Sequence, residues 1–208
     1  RFADGRFVVS GTDRAVGLIE VAALGREQGK PIDTYHFWKR EHLTFPNGTH
    51  VVEVEVDPET GQVTLDRYVG VDDYGVMINP MIVEGQAHGA MAQGAGQALL
   101  ERTTYDPQSG QLIAATFMDY ALPRADDLPS FDLGFNATRC TTNPLGVKGC
   151  GEAGAIAAFP AIANAILDAL APLGVTAFDG PATPANVWQA IAAVTCSASG
   201  SSRRDRTA

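Results

Sequence analysis

Three features of the chain predict an α+β fold, a mixed sheet with packing helices. Val52, Val54 and Val56 alternate with Glu53, Glu55 and Asp57, and apolar positions resume at Val63 and Leu65 after the turn Asp57-Pro58-Glu59-Thr60-Gly61. That is a half-buried hairpin. Asn79-Pro80 opens a long segment of helical character, and an apolar helical pattern runs over about 153–170. Sheet and helices must then bury their apolar faces against one another.

In order along the chain, residues 6–10 read as a short strand. Thr12 is placed to cap a helix over about 13–27, with Ala15, Val16, Leu18, Ile19, Ala22 and Ala23 at helical spacing and Gly25 or Gly29 with Lys30-Pro31 ending it. Residues 34–44 read as a strand, followed by a turn at Pro46-Asn47-Gly48. The strand returning from the hairpin carries Val63, Leu65, Val69 and Val71. Asn79-Pro80 supplies an N-cap followed by proline at the first helical position, so a helix is expected over about 80–101. It holds Gly85, Gly89, Gly94 and Gly96, each costing roughly 1 kcal/mol against alanine, so close approach of a backbone or a ligand is expected. Residues 104–130 are mixed, with a turn at Asp106-Pro107-Gln108-Ser109-Gly110, and 131–136 read as a strand. A glycine-rich loop, Gly146 to Gly154, precedes the apolar helix, and Thr183-Pro184 begins a last helix to about Val194. One domain is expected over 1–196, with 197–208 a Ser/Gly/Arg-rich disordered tail.

Composition excludes several classes. The 208 residues carry a net charge of −9, which disfavours nucleic acid and anionic membrane surfaces. No apolar run approaches ~20 residues, so no membrane span is expected. Cys140, Cys150 and Cys196 cannot all pair and form no CxxC, which reads as reduced thiols in a reducing compartment. A chain starting at Arg1 reads as a piece of a longer protein, and a leader could have preceded it.

Two segments have the makings of a site. Gly149-Cys150-Gly151-Glu152-Ala153-Gly154 matches G-x-G-x-x-G at the start of a helix. A dinucleotide fingerprint would need an apolar strand running straight into the first glycine, and Thr141 to Gly146 intervene. Otherwise the glycines bare the backbone around one carboxylate, Glu152, with Lys148 beside it; a surface glutamate at a helix start fits as well. In the small-residue helix, Gln86, Gln93 and Gln97 recur along one face. They are either a solvated face or amides facing a ligand with mixed donors and acceptors. His88 follows Glu84 by four residues, but no H-E-x-x-H or G-x-S-x-G occurs, so neither a protein-ligated zinc nor a serine hydrolase is indicated.

The runs Asn79-Pro80, Glu84 to Ala90, Gln93 to Leu99, Asn143 to Gly154 and Pro160 to Ile166 resemble the molybdenum hydroxylases, a family that includes xanthine dehydrogenase, aldehyde oxidase and aerobic carbon monoxide dehydrogenase. The hairpin leading into Asp72-Asp73-Tyr74-Gly75 fits the same family. The resemblance spans nearly all the chain except its tail. It implies the C-terminal part of a large, molybdopterin-binding subunit.

It further implies that Glu152 is a general base acting on a Mo–OH group, whose oxygen attacks an electrophilic carbon while hydride passes to a Mo=S sulfur. Gln86, Gln93, Lys148, Gly149 and Gly151 would lie at the cofactor, molybdopterin in its cytosine dinucleotide form, with no protein ligand to the metal. Partners implied are the rest of the large subunit, a [2Fe-2S] subunit and an FAD subunit, with an aldehyde, N-heterocycle or related small molecule as substrate. A cytoplasmic location is expected, with the periplasm as an alternative. Two other readings stay open: a non-catalytic interaction domain from that family, and a nicotinamide-binding oxidoreductase using the G-x-G-x-x-G loop.

Overall fold

The computed structural model describes residues 1–201, with side chains through residue 196. The chain divides into two compact units, Arg1–Glu41 and the part from His42 onward. In the first, strands β1 (Phe2–Ala3), β2 (Arg6–Val8) and β3 (Ala15–Gly17) form an antiparallel sheet, and helix α1 spans Leu18–Glu27. The helix starts later than the apolar spacing predicts. Gly11, at φ +80°, turns β2 back onto β3, and Ala15 and Val16 pair with it. The Glu20 carboxylate accepts from the Gly17 amide at 2.8 Å, so the helix is capped there and not at Thr12. The strand expected over 34–44 does not form. Residues 31–41 have no regular secondary structure, and no strand among the described residues pairs with them.

The second unit is built on a mixed sheet ordered β4 (Asn47–Val56), β5 (Val63–Asp73), β6 (Phe131–Phe135), with β4–β5 antiparallel and β5–β6 parallel. A bulge changes which side of β5 faces inward. Glu53 pairs with Arg67 and Val54 with Leu65, leaving Asp66 unpaired. An extra residue reverses the alternation. Val63 and Leu65 are buried before it, but Tyr68, Gly70 and Asp72 are buried after it, while Val71 is exposed. Val69 and Val71 lie in the returning strand as expected, but Val71 is on its exposed side because of the bulge at Asp66.

Helices α2 (Pro80–Leu99) and α3 (Ala153–Leu170) pack against each other, and α3 also packs on β4. Asn79 caps α2 as expected, its side chain accepting from the Ile82 amide at 3.3 Å. Ala158, Ile162, Ile166 and Leu170, four residues apart, form the fully buried face of α3. The stretch Ala153–Leu173 has a mean hydropathy of 1.7 and is long and apolar enough to cross a membrane by length and composition. The sequence reading missed this because Asn164 and Asp168 interrupt the run. One face, Ala158, Ile162, Ile166 and Leu170, is packed in the core of the second unit.

Helix α4 (Pro184–Ser201) follows Thr183, whose hydroxyl accepts from the Asn186 amide at 3.4 Å. It runs past Val194 into the segment read as a tail, and residues 202–208 lie outside those described. A 3₁₀ turn, Ala125–Asp127, precedes β6, and another, Ala171–Leu173, follows α3.

Close packing of α2 on α3 depends on missing side chains. A Cβ at Gly94 would lie 2.5 Å from the Ala158 Cβ, and one at Gly154 2.9 Å from the Ala90 Cβ. Gly94→Val should therefore destabilise the second unit by roughly 1–3 kcal/mol through overpacking, despite valine's better helix propensity. Chemical denaturation of wild type and variant checks this.

Candidate cofactor-binding site

The two motifs singled out in the sequence meet on one surface. Gln86 Nε2 on α2 donates to the Gly151 carbonyl at 2.6 Å. Glu152 occupies the N-cap position of α3, where its carbonyl accepts from the Ala155 amide at 3.0 Å; its carboxylate is exposed and makes no capping bond. Gln93 lies on the same exposed face of α2 as Gln86, two turns on.

That face is bare. Gly85 and Gly89 lie along it with Gln86 and Gln93, and Gly151 faces solvent beside them. A Cβ at Gly85, Gly89 or Gly151 would meet no atom within 4 Å, and none of the three has a positive φ. Among the described residues neither packing nor backbone conformation calls for glycine there. The result is an open, side-chain-poor surface bordered by two amides and one carboxylate, with room for a bulky group against the backbone. Among the described residues no cluster of His, Cys, Asp and Glu could hold a metal.

The loop from Arg139 to Gly151 is fixed from below. The Asn143 amide oxygen accepts from the Gly146 and Val147 amides (2.7 and 3.1 Å), and its nitrogen donates to the Val147 carbonyl at 2.9 Å. The Lys148 amide donates to the Tyr74 carbonyl at 2.9 Å, and the Gly149 amide to Thr44 Oγ1 at 3.2 Å. Lys148 does not lie on the bare surface: its Nζ is 2.7 Å from Asp73 Oδ2, and both side chains are 10% exposed. Cys150 packs toward Tyr74, Val83 and Ala87.

The pattern that defines the molybdopterin cofactor-binding domain matches residues 1–129. The chain belongs to that family. It is 42% identical over 153 residues to the nicotine 6-hydroxylase large subunit of Paenarthrobacter nicotinovorans, covering 74% of this chain and 19% of that protein. It is 35% identical over 167 residues to the carbon monoxide dehydrogenase large chain of Hydrogenophaga pseudoflava, covering 80% and 20%. Among solved structures, the Cu,Mo-CO dehydrogenase in its carbon monoxide reduced state matches with a TM-score of 0.77 at 28% identity, over 94% of this chain and 25% of that one. Quinoline 2-oxidoreductase from Pseudomonas putida 86 matches with a TM-score of 0.75 at 36% identity, over 90% and 25%. The chain thus spans about a fifth of the curated relatives' length.

Within this molybdopterin cofactor-binding domain, the sequence reading assigned no role to the buried polar groups beneath the loop. His50 Nδ1 is 2.7 Å from the Tyr68 hydroxyl and its Nε2 is 3.2 Å from Asp72 Oδ1, while Tyr74 donates to Asp72 Oδ2 at 2.8 Å. Burial pushes the Tyr68 and Tyr74 phenols up, and the Asp72 charge adds to it. The signal was present for His50, which continues the inward alternation of Val52, Val54 and Val56. Asp73 accepts from Lys148, from the Gly75 amide at 2.8 Å and from the Thr138 amide at 3.0 Å. Burial alone would raise its carboxyl, but the Lys148 ammonium and the two amides hold it well below the usual carboxylate range.

A carboxyl depressed by folding stabilises the fold above its unfolded value and loses that contribution as the pH falls through the folded one. Asp73→Asn leaves a buried ammonium unpaired and should cost roughly 3–5 kcal/mol at neutral pH. The wild-type advantage should stay flat from about pH 8 to pH 5 and shrink only below about pH 4, where the unfolded carboxyl protonates. Denaturant titrations of both proteins across that range test it.

Proposed function

We propose that this domain forms one wall of the molybdopterin site in the large subunit of a molybdenum-dependent hydroxylase, with Glu152 as general base. The observation that carries the reading is the bare strip of Gly85, Gly89 and Gly151 beside a single exposed carboxylate, glycines that nothing else in the chain requires. The donor set fits a pterin dinucleotide, since Gln86 and Gln93 offer both donors and acceptors and no protein ligand to a metal is needed. When bound, the cofactor would supply the redox-active metal that accepts the substrate's electrons.

The chain's own residues would hold and deprotonate. Gln86 fixes the Gly151 carbonyl, and Gln93 stands on the same bare face. Glu152 accepts the proton of the attacking oxygen nucleophile on a carboxylate oxygen as that nucleophile adds to an electrophilic carbon. Gly149 and Gly151 admit the cofactor to the loop. Lys148 serves the cofactor site through the loop it anchors. The substrate would be an aldehyde, an N-heterocycle or a related small molecule, and relatives named for nicotine and quinoline favour the N-heterocycle. The rest of the large subunit, an iron–sulfur subunit and an FAD subunit would complete the complex, in the cytoplasm. The cytosine dinucleotide form of the cofactor belongs to the same proposal.

Two experiments on the full enzyme complex test this. Glu152→Gln keeps size and hydrogen bonding but cannot take a proton, so anaerobic single-turnover reduction by substrate should slow by ~10²–10⁴ with molybdenum content unchanged. A variant that loads molybdenum and reduces within about tenfold of wild type removes Glu152 from the chemistry. Gly89→Val adds bulk to the open strip at a position where a Cβ meets no atom within 4 Å, so it should fold normally yet lose molybdenum several-fold by metal analysis. Normal molybdenum content in that variant would mean that the strip holds no cofactor.

A further inference from the structure

Between Lys148 and Glu152 lie only Gly149, Cys150 and Gly151. Two glycines in three residues give this stretch little stiffness of its own. The position of Glu152 therefore depends on what grips the loop: Thr44 at the Gly149 amide and Gln86 at the Gly151 carbonyl hold it along its length, and two anchors hold its ends. On the far side it is the start of α3. On the near side it is Lys148, whose amide is bound to Tyr74 and whose ammonium is bound to Asp73.

Asp73 itself is held by three segments. It ends β5, and it accepts from Gly75 in the following turn, from Thr138 in the segment after β6, and from Lys148 in the glycine loop. With 90% of both side chains covered, neither the carboxylate nor the ammonium lies on the bare surface. A lysine that met an anionic ligand directly would present its ammonium there. We infer that Asp73 and Lys148 form a single buried latch that fixes the glycine loop against the end of β5, making Asp73 a positioning residue for Glu152. The inference rests on the reading of Glu152 as base.

The test uses the full enzyme complex carrying Asp73→Asn, Lys148→Met, the double variant or Lys148→Arg, beside Glu152→Gln. Three quantities are measured: molybdenum content, anaerobic single-turnover reduction against substrate concentration, and amide hydrogen exchange over residues 145–152 and 47–73. Each single latch variant should retain molybdenum and slow the reductive step by about ten- to a hundredfold at saturating substrate, the scale of a misplaced catalytic group. Half-saturation should change little. Exchange should quicken more over 145–152 than over 47–73, whereas a general loss of stability would raise both alike. The double variant should be no slower than the slower single, because the two groups act as a unit. Lys148→Arg, which keeps the cation, should recover loop protection.

A wild-type rate in Lys148→Met overturns the inference, as does equally raised exchange over 47–73, or a double variant whose losses multiply. If Asp73→Asn fails to accumulate, Lys148→Met decides the matter alone. The two proposals fail separately. Wild-type reduction by Glu152→Gln removes the base, whereas a slow Glu152→Gln beside a fast Lys148→Met removes only the latch.

Discussion

Helix α2 can lie against α3 because Gly94 and Gly154 leave no side chain where the two backbones cross, and the candidate site depends on that contact. Each glycine sits opposite a small partner, Ala158 for Gly94 and Ala90 for Gly154. Backbones this close put the exposed face of α2 within reach of the loop that starts α3, so that the short amide side chain of Gln86 spans to the Gly151 carbonyl. Larger residues at the crossing would move the glutamine face and the glutamate apart. The same helix closes on the sheet through Met91, whose methyl would lie 2.6 Å from a Cβ at Gly70. Sheet, helix pair and loop are thereby held in one arrangement by small residues at a few crossings.

Below the loop, the end of β5 organises two polar networks back to back. Neighbouring strand residues point to opposite faces, so Asp72 meets His50 and Tyr74 while Asp73 meets Lys148. Both carboxylates are buried, and each is supplied with donors. Among the described residues no buried side-chain polar atom lacks a partner. Buried networks of this kind stabilise little beyond an apolar core of the same shape, but they penalise alternatives that leave a charge unpaired. That makes them suited to holding a loop in one place.

Glycine has two roles on α2. Gly94 and Gly96 face other parts of the protein, where a Cβ would collide with Ala158 or with Pro123. Gly85 and Gly89 face open space. The first kind is explained by packing within the chain. The second kind weakens the helix with no internal compensation, and the contrast within one helix is what turns a small-residue pattern into an argument for an external group.

The local elements were legible from residue chemistry alone. Asn79-Pro80 and Thr183-Pro184 marked helix starts, the apolar pattern over 153–170 marked α3, and the valine alternation marked β4. The two motifs that carry the resemblance could be found as linear patterns because each belongs to one contiguous segment. The segment over 34–44 misled because its aromatic and β-branched residues suit a strand, yet a strand exists only where another pairs with it. The inward turn of Tyr68 and Asp72 followed from an unpaired Asp66, a feature of register between strands that neither strand's sequence displays. Likewise, the lysine that the resemblance puts at the cofactor is seen to be half of a buried ion pair only once β5 brings Asp73 beneath it. Periodicity, caps and turns are set by neighbours along the chain and so are written in it. Pairing register, and the partner a buried charge finds across 75 residues of sequence, come into being only when distant segments meet.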